Sequence, residues 1–226
     1  MIALVDYGAG NLRSVQNALD ALEVESAIAS TPEDLSRADA IIFPGVGAAA
    51  PAMAALRARG LERGLLDAID RGTPFLGICL GLQLLFGSSA EDGASCLGVF
   101  RGTVERLPTR EKLPHIGWNT LEHVGDHPVL DGMQGEAMYF VHSYVGVPQD
   151  RRLVAAETTH GVAFVSAIAA GSMVAVQFHP ERSGPAGLKL LENFIQFARV
   201  QPPTPSPHPA LPRARGRDLA GKGGGR

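Results

Sequence analysis

A single cysteine with a glycine two residues away on either side constrains this chain more than any other feature. In Phe75-Leu76-Gly77-Ile78-Cys79-Leu80-Gly81-Leu82-Gln83-Leu84-Leu85-Phe86, one apolar run leads into the cysteine and another leads out. Gly-x-nucleophile-x-Gly is the pattern of a strand-to-helix elbow, here with Cys in place of Ser. The turn demands close backbone approach, which Gly77 and Gly81 permit because they carry no Cβ. A strand into Cys79 and an apolar helix out of it are therefore expected. Such an elbow lifts the sulfur to the top of a sheet. It also aims the Leu80 N–H at whatever Cys79 attacks, at the positive end of the expected helix. The competing reading is a buried structural cysteine in an apolar segment, and residues downstream decide between the two.

Those residues are Gln177-Phe178-His179-Pro180-Glu181, at the end of an apolar run from Ser172. Proline at 180 disfavours a helical His179 and pushes it to extended backbone. In an extended chain His179 and Glu181 project to one side, about 6.6 Å apart along the strand. Glu181 can then hold one ring nitrogen while the other faces Cys79, which is the nucleophile, base and orienter of a triad. Pro44-Gly45-Val46-Gly47 closes another apolar run. Backbone N–H groups of Val46 and Gly47, with that of Leu80, are candidates for an oxyanion hole.

With these motifs the chain resembles the class I, or triad, glutamine amidotransferases. Further stretches narrow the likeness to the glutaminase subunits of imidazole glycerol phosphate synthases. They are Asp6-Tyr7-Gly8-Ala9-Gly10-Asn11, the Pro44–Gly47 loop, Pro114-His115-Ile116-Gly117-Trp118-Asn119 and Tyr139-Phe140-Val141-His142-Ser143-Tyr144. The resemblance covers residues 1 to about 200. It implies that Gly45, Gln83 and Glu91 hold substrate glutamine, and that the backbone at Ser143 and Tyr144 contacts its α-carboxylate region. It implies a partner, a (β/α)₈ cyclase subunit, met by Asn11, Trp118, Asn119, Tyr139 and Arg182. No cofactor is implied. Leu82 stands where many relatives have Met, a volume-conserving swap, and Arg182 where some have Lys, which keeps charge but not geometry. His115 and His142 read as satisfied structural histidines.

The chain has 226 residues with a net charge of −3, and its last 26 residues hold five cations against Asp218, so the body is acidic. Nucleic-acid binding has no global electrostatic support. Cys79 and Cys96 are expected as free thiols in a reducing, cytoplasmic setting. The N-terminus does not read as a signal peptide, and 75–86 is too short and glycine-broken to span a membrane. The seven histidines form no metal-ligand spacing. Asp6–Asn11 lacks the third glycine of a dinucleotide fingerprint, since Arg13 falls there. The Pro-, Arg- and Gly-rich segment 201–226 is expected to be a disordered tail following one domain, 1–200.

Along the chain, strands at 2–5, 26–29, 40–43 and 73–78 alternate with helices. These start near Asn11 as N-cap, at Thr31-Pro32, and over 48–71 with Gly72 as terminator. Alternation of this kind predicts an α/β fold of flavodoxin-like type, with a mainly parallel sheet and helices on both faces. Strands at 97–107, 136–144, 153–157, 161–168 and 172–178 predict an antiparallel extension. A last amphipathic helix carries Leu188, Leu191, Phe194, Ile195 and Ala198.

The reaction this predicts is hydrolysis of glutamine to glutamate and ammonia through a Cys79 thioester. Three other readings compete. The chain could serve another synthase, such as anthranilate or pyridoxal phosphate synthase; it could be a free-standing cysteine hydrolase of γ-glutamyl amides; or it could be a non-catalytic binding module. The 6–11, 114–119 and 139–144 stretches disfavour the first, and an intact Cys79, His179 and Glu181 the last.

Overall fold

The computed structural model describes residues 1–200; the tail expected over 201–226 lies outside the described residues. The elements run β1 (Ile2–Val5), α1 (Leu12–Ala21), β2 (Ser26–Ala29), α2 (Pro32–Ser36), β3 (Ala40–Gly45), α3 (Ala49–Ala58), α4 (Leu61–Asp70), β4 (Phe75–Cys79) and α5 (Leu80–Gln83). Then follow β5 (Ser88–Ser89), β6 (Gly102–Arg106), β7 (His115–Thr120), β8 (Ala137–His142), β9 (Tyr144–Pro148), β10 (Val154–His160), β11 (Val162–Ala170), β12 (Met173–Val176) and α6 (Gly184–Val200).

The main sheet has the order β10-β11-β12-β4-β3-β1-β2. From β12 to β2 every pair is parallel, and β10 and β11 add the antiparallel extension. Alternation along each strand splits the core in two. Leu4, Ile42, Leu76 and Ile78 face α1 and α6, meeting Val15, Leu19, Leu190 and Phe194. Val5, Ile41, Phe43 and Phe75 face the other way, onto Leu35, Leu56, Leu61 and Leu65 of α2, α3 and α4. Phe43 and Phe75 are fully buried in edge-to-face contact with centroids 6.0 Å apart. Burial of each such side chain stabilises the fold by about 1.5–3 kcal/mol.

Several local expectations change. The run after Cys79 is helical for one turn only, Leu80–Gln83, because Leu84–Phe86 turn away to pair their carbonyls with Leu97, Gly98 and Phe100. A four-residue helix has little macrodipole, so it adds little positive field at the nucleophile. Gly60, at φ +70°, breaks 48–71 into α3 and α4. Asn11 occupies the N-cap position of α1 without a side-chain capping bond, whereas Thr31 and Asp34 form a full capping box on α2. The strand expected over 97–107 shortens to β6, and 136–144 divides at Ser143 into β8 and β9. The segment 115–120, read only as a motif, is a strand paired with β8. Consequently β5-β6-β9 and β7-β8 form two small sheets beside the main one. Among the described residues no helix is long and apolar enough to cross a membrane.

Candidate active site

Cys79 ends β4, next to β3 in the middle of the sheet, where the carboxyl ends of parallel strands open onto a crevice. Its backbone sits at φ +54°, ψ −109°, a strained conformation for a residue with a Cβ. The neighbouring packing enforces it. A Cβ on Gly81 would run into the carbonyl oxygen of Phe43, and one on Gly77 would lie 3.0 Å from Ala175 Cβ. The elbow is therefore pressed against both neighbouring strands.

His179 leaves β12 with extended backbone, as its proline neighbour requires. Glu181 does not continue the strand. Residues Pro180–Arg182 form a 3₁₀ turn, and the turn rather than strand alternation brings the Glu181 Oε1 to 2.8 Å from His179 Nδ1. The proton on that nitrogen donates to the carboxylate, whose side chain is 1% exposed. This leaves Nε2 buried, without a protein hydrogen bond, as the working nitrogen. Burial alone would lower the basicity of His179. The adjacent Cys79 and Glu181 outweigh it and push the pKa up to about 10.

Three further groups were not assigned from sequence. Gln177 donates from Nε2 to Cys79 Sγ at 3.7 Å, and its Oε1 accepts from Gln83 Nε2 at 3.1 Å. Its signal was a fully polar residue in an otherwise apolar strand ending. Ser183 Oγ donates to the His179 carbonyl at 2.6 Å and accepts the Tyr139 N–H at 3.0 Å, while the His179 N–H donates to the Tyr139 carbonyl at 2.9 Å. Asp92 accepts from the Ala50 N–H at 2.6 Å, capping α3 from a distant loop. Contacts of that kind between remote segments leave no local pattern to read.

A cleft of about 440 Å³ joins Cys79, Leu80, His179, Val46, Gly47, Gln83, Glu91, Ser143, Tyr144 and Arg182. Gln83 is buried and also donates to the Tyr144 carbonyl at 3.0 Å. Burial, and then the Asp92 charge, raise the Glu91 carboxyl above its ordinary value. Gly47 has φ +91° with open space around it. Gly45 pairs with Cys79 across the β3–β4 ladder, beneath the loop rather than on the cleft wall. Asn11 lies on the neighbouring loop after β1, where Gly10 packs on Pro44.

Trp118 and Tyr139 are cross-strand partners on β7 and β8, with ring centroids 6.3 Å apart, and Arg182 lies over the Tyr139 ring at 5.9 Å. Trp118 is 58% exposed and Ile116, two residues earlier on the same strand face, 60%. Asn119 points the other way, into the molecule, and donates to the Thr159 carbonyl. Both cysteines are free; Cys96 is half-buried, and burial followed by Asp92 pushes its thiol up to about 11. Among the described residues no cluster of His, Cys, Asp and Glu is suited to a metal.

Residues 3–197 match the sequence profile of the family described as "Glutamine amidotransferase class-I". The chain belongs to that family. Within it, the amidotransferase is 48% identical over 200 residues to "Imidazole glycerol phosphate synthase subunit HisH" of Dehalococcoides mccartyi, covering 88% of this chain and 98% of that protein. It is 47% identical over 201 residues to the protein of the same name from Methanothermobacter thermautotrophicus, covering 88% and 100%. "Imidazole glycerol phosphate synthase hisHF, chloroplastic" of Arabidopsis thaliana is 44% identical over 227 residues, covering 98% of this chain but 36% of that protein. In fold, the amidotransferase superposes on a solved glutamine amidotransferase with a TM-score of 0.70 at 22% identity, covering 88% of this chain and all of that one. PurLQS from Thermotoga maritima gives 0.70 at 19%, covering 87% and 97%.

Proposed function

We propose that this amidotransferase is the glutaminase subunit of an imidazole glycerol phosphate synthase, acting in histidine biosynthesis. The observation that carries the chemistry is the free, buried Nε2 of His179 beside Cys79, with Glu181 holding the opposite nitrogen. The Cys79 thiolate attacks the side-chain amide carbon of glutamine. The N–H groups of Leu80, Val46 and Gly47 receive the developing oxyanion. His179 gives its proton to the departing nitrogen, and the C–N bond breaks to release ammonia. A γ-glutamyl thioester remains on Cys79. Water, deprotonated by His179, adds to it and displaces the thiolate, yielding glutamate. Gln83, Glu91 and the Ser143–Tyr144 turn supply the polar groups that hold the amino-acid end of the substrate.

Ammonia released here serves a cyclase subunit with a (β/α)₈ barrel, which forms imidazole glycerol phosphate and an aminoimidazole carboxamide nucleotide. Direct transfer has a chemical motive, since ammonia free in neutral water is mostly protonated and non-nucleophilic. The exposed Trp118, with Tyr139, Arg182 and Asn11, supports a docking face for that subunit beside the cleft. The hisHF relative, about a third of which this chain spans, supports the same pairing. The setting is cytoplasmic.

The deciding experiment measures glutamate release by the purified chain alone and then with the cyclase subunit and its nucleotide, with Cys79→Ser as control. Slow release alone and strong stimulation by the pair are expected. Full activity alone, indifferent to the cyclase, would leave a free-standing hydrolase or another synthase's subunit.

A further inference from the structure

A buried chain of imidazoles runs from β7 to the edge of the cleft. It starts at Asn119, whose Nδ2 donates to the Thr159 carbonyl at 2.8 Å and whose Oδ1 accepts the Thr120 N–H at 2.9 Å. Those bonds decide which end of the amide faces His115, 3.3 Å away at Nε2. That Nε2 accepts, so the His115 proton sits on Nδ1. From there it donates to His142 Nε2 at 3.1 Å, and His142 Nδ1 in turn donates to the Tyr144 carbonyl at 3.1 Å. Every ring nitrogen is used and the chain has one direction. Its end is the same carbonyl that accepts from Gln83. The Ser143 carbonyl is separately held by the Leu107 N–H at 2.9 Å. Because peptides are planar, these bonds set both peptide planes of the Ser143–Tyr144 turn.

We propose that His115 and His142 are positioning residues for glutamine, transmitting the placement of Asn119 on β7 to the Ser143–Tyr144 turn of the cleft. The inference rests on the glutaminase reading above. The rings are packed to stay neutral. His115 is stacked between His160 and Phe140, with centroids at 4.1 and 5.0 Å, and Phe164 of β11 meets it edge-on at 5.8 Å. Burial first, then His160, brings His115 down to about 4. For His142, burial, then His115, with smaller contributions from His160 and His179, outweigh the Tyr144 bond and bring it to about 3. The Lys112 carbonyl lies 3.1 Å from His160 Nε2.

The test uses the full chain with the cyclase subunit and nucleotide, and reads KM and kcat for glutamine from pH 5 to 8. His115→Leu should raise KM about tenfold, the scale of one lost hydrogen bond, with kcat within about twofold. His115→Asn places an amide N–H where Nδ1 stood and should stay within about threefold of wild type. Hydrogen exchange at the 143–145 amides, which needs no activity, should quicken about tenfold in the Leu variant alone. A wild-type KM and exchange rate in His115→Leu would overturn the proposal, as would an Asn variant impaired tenfold. Should the Leu variant not fold, the Asn variant decides by the same limits. Wild-type protein that releases no glutamate fails the glutaminase reading, while the exchange comparison still tests the positioning.

Discussion

Gly45 lies directly across the β3–β4 ladder from Cys79. The pairing sets the loop that follows Gly45 beside Cys79, where Val46 and Gly47 share its cleft. It also leaves no room at 45. A Cβ there would collide with the Tyr7 hydroxyl and lie 2.9 Å from Leu80 Cβ. Gly45→Ala should cost about 1–3 kcal/mol through overpacking and depress glutamine turnover, read by denaturant unfolding and glutamate release. Wild-type stability would show that the elbow can yield.

The elbow stores strain that a glycine would relieve. Cys79→Gly and Cys79→Ala should both abolish turnover, but the glycine variant should be the more stable by about 1 kcal/mol, because φ +54° costs an L-residue that much. Paired urea titrations test this, and an equal or more stable alanine variant would refute the strained geometry.

Glu181→Gln keeps the shape of the His179 partner and removes its charge. Turnover should fall on the order of 10³-fold, as expected when the orienting acid of a triad is lost. The folded pKa of His179, near 10, lies above its ordinary 6.5. Its proton-linked stabilisation is therefore complete below about 6.5 and lost as pH rises through 10. Without the carboxylate the folded value drops. Both the alkaline limb of kcat and the alkaline loss of stability should then move to lower pH, which pH-rate and pH-melting profiles will show.

Ser183 ties the carbonyl of His179 to the backbone of Tyr139 on β8. Ser183→Ala removes the hydroxyl that bonds the His179 carbonyl and the Tyr139 N–H. A loss of about 1–3 kcal/mol in stability follows from the unpaired groups. A kcat effect with little change in KM would mark it as positioning His179 rather than substrate.

Trp118→Ala should leave the isolated chain's melting temperature within about 2 °C, since the ring is 58% exposed. Affinity for the cyclase subunit should fall by about 2 kcal/mol or more, as for an aromatic anchor at an interface. Calorimetry with the cyclase measures it, and unchanged affinity would place the docking face elsewhere.

Much of this was legible in the linear chain because the determinants are local. Glycines around Cys79 announce a strained turn, Pro180 forces His179 into extended backbone, short continuous apolar runs mark β1, β3 and β4, and period-3.6 apolar patterns mark α1 and α6. Sequence also showed that a carboxylate two residues from His179 would serve it. What it could not show was how. Strand alternation was the expected route, and a 3₁₀ turn is the actual one, because Ser183 and Tyr139 capture the backbone on either side of the turn. The short α5 has the same origin: Leu84–Phe86 have helical propensity, yet their carbonyls are taken by Leu97, Gly98 and Phe100. Gln177, Ser183, Asp92 and the His115–His142 chain were unreadable for one physical reason. Each acts through a hydrogen bond to a group tens of residues away, and only the closed tertiary structure brings the two ends together. The sequence by itself determined the chemistry available at the site, since the glycine-flanked turn at Cys79 and the extended backbone at His179 are each written in a few adjacent residues. The tertiary structure decided how rigidly that chemistry is held.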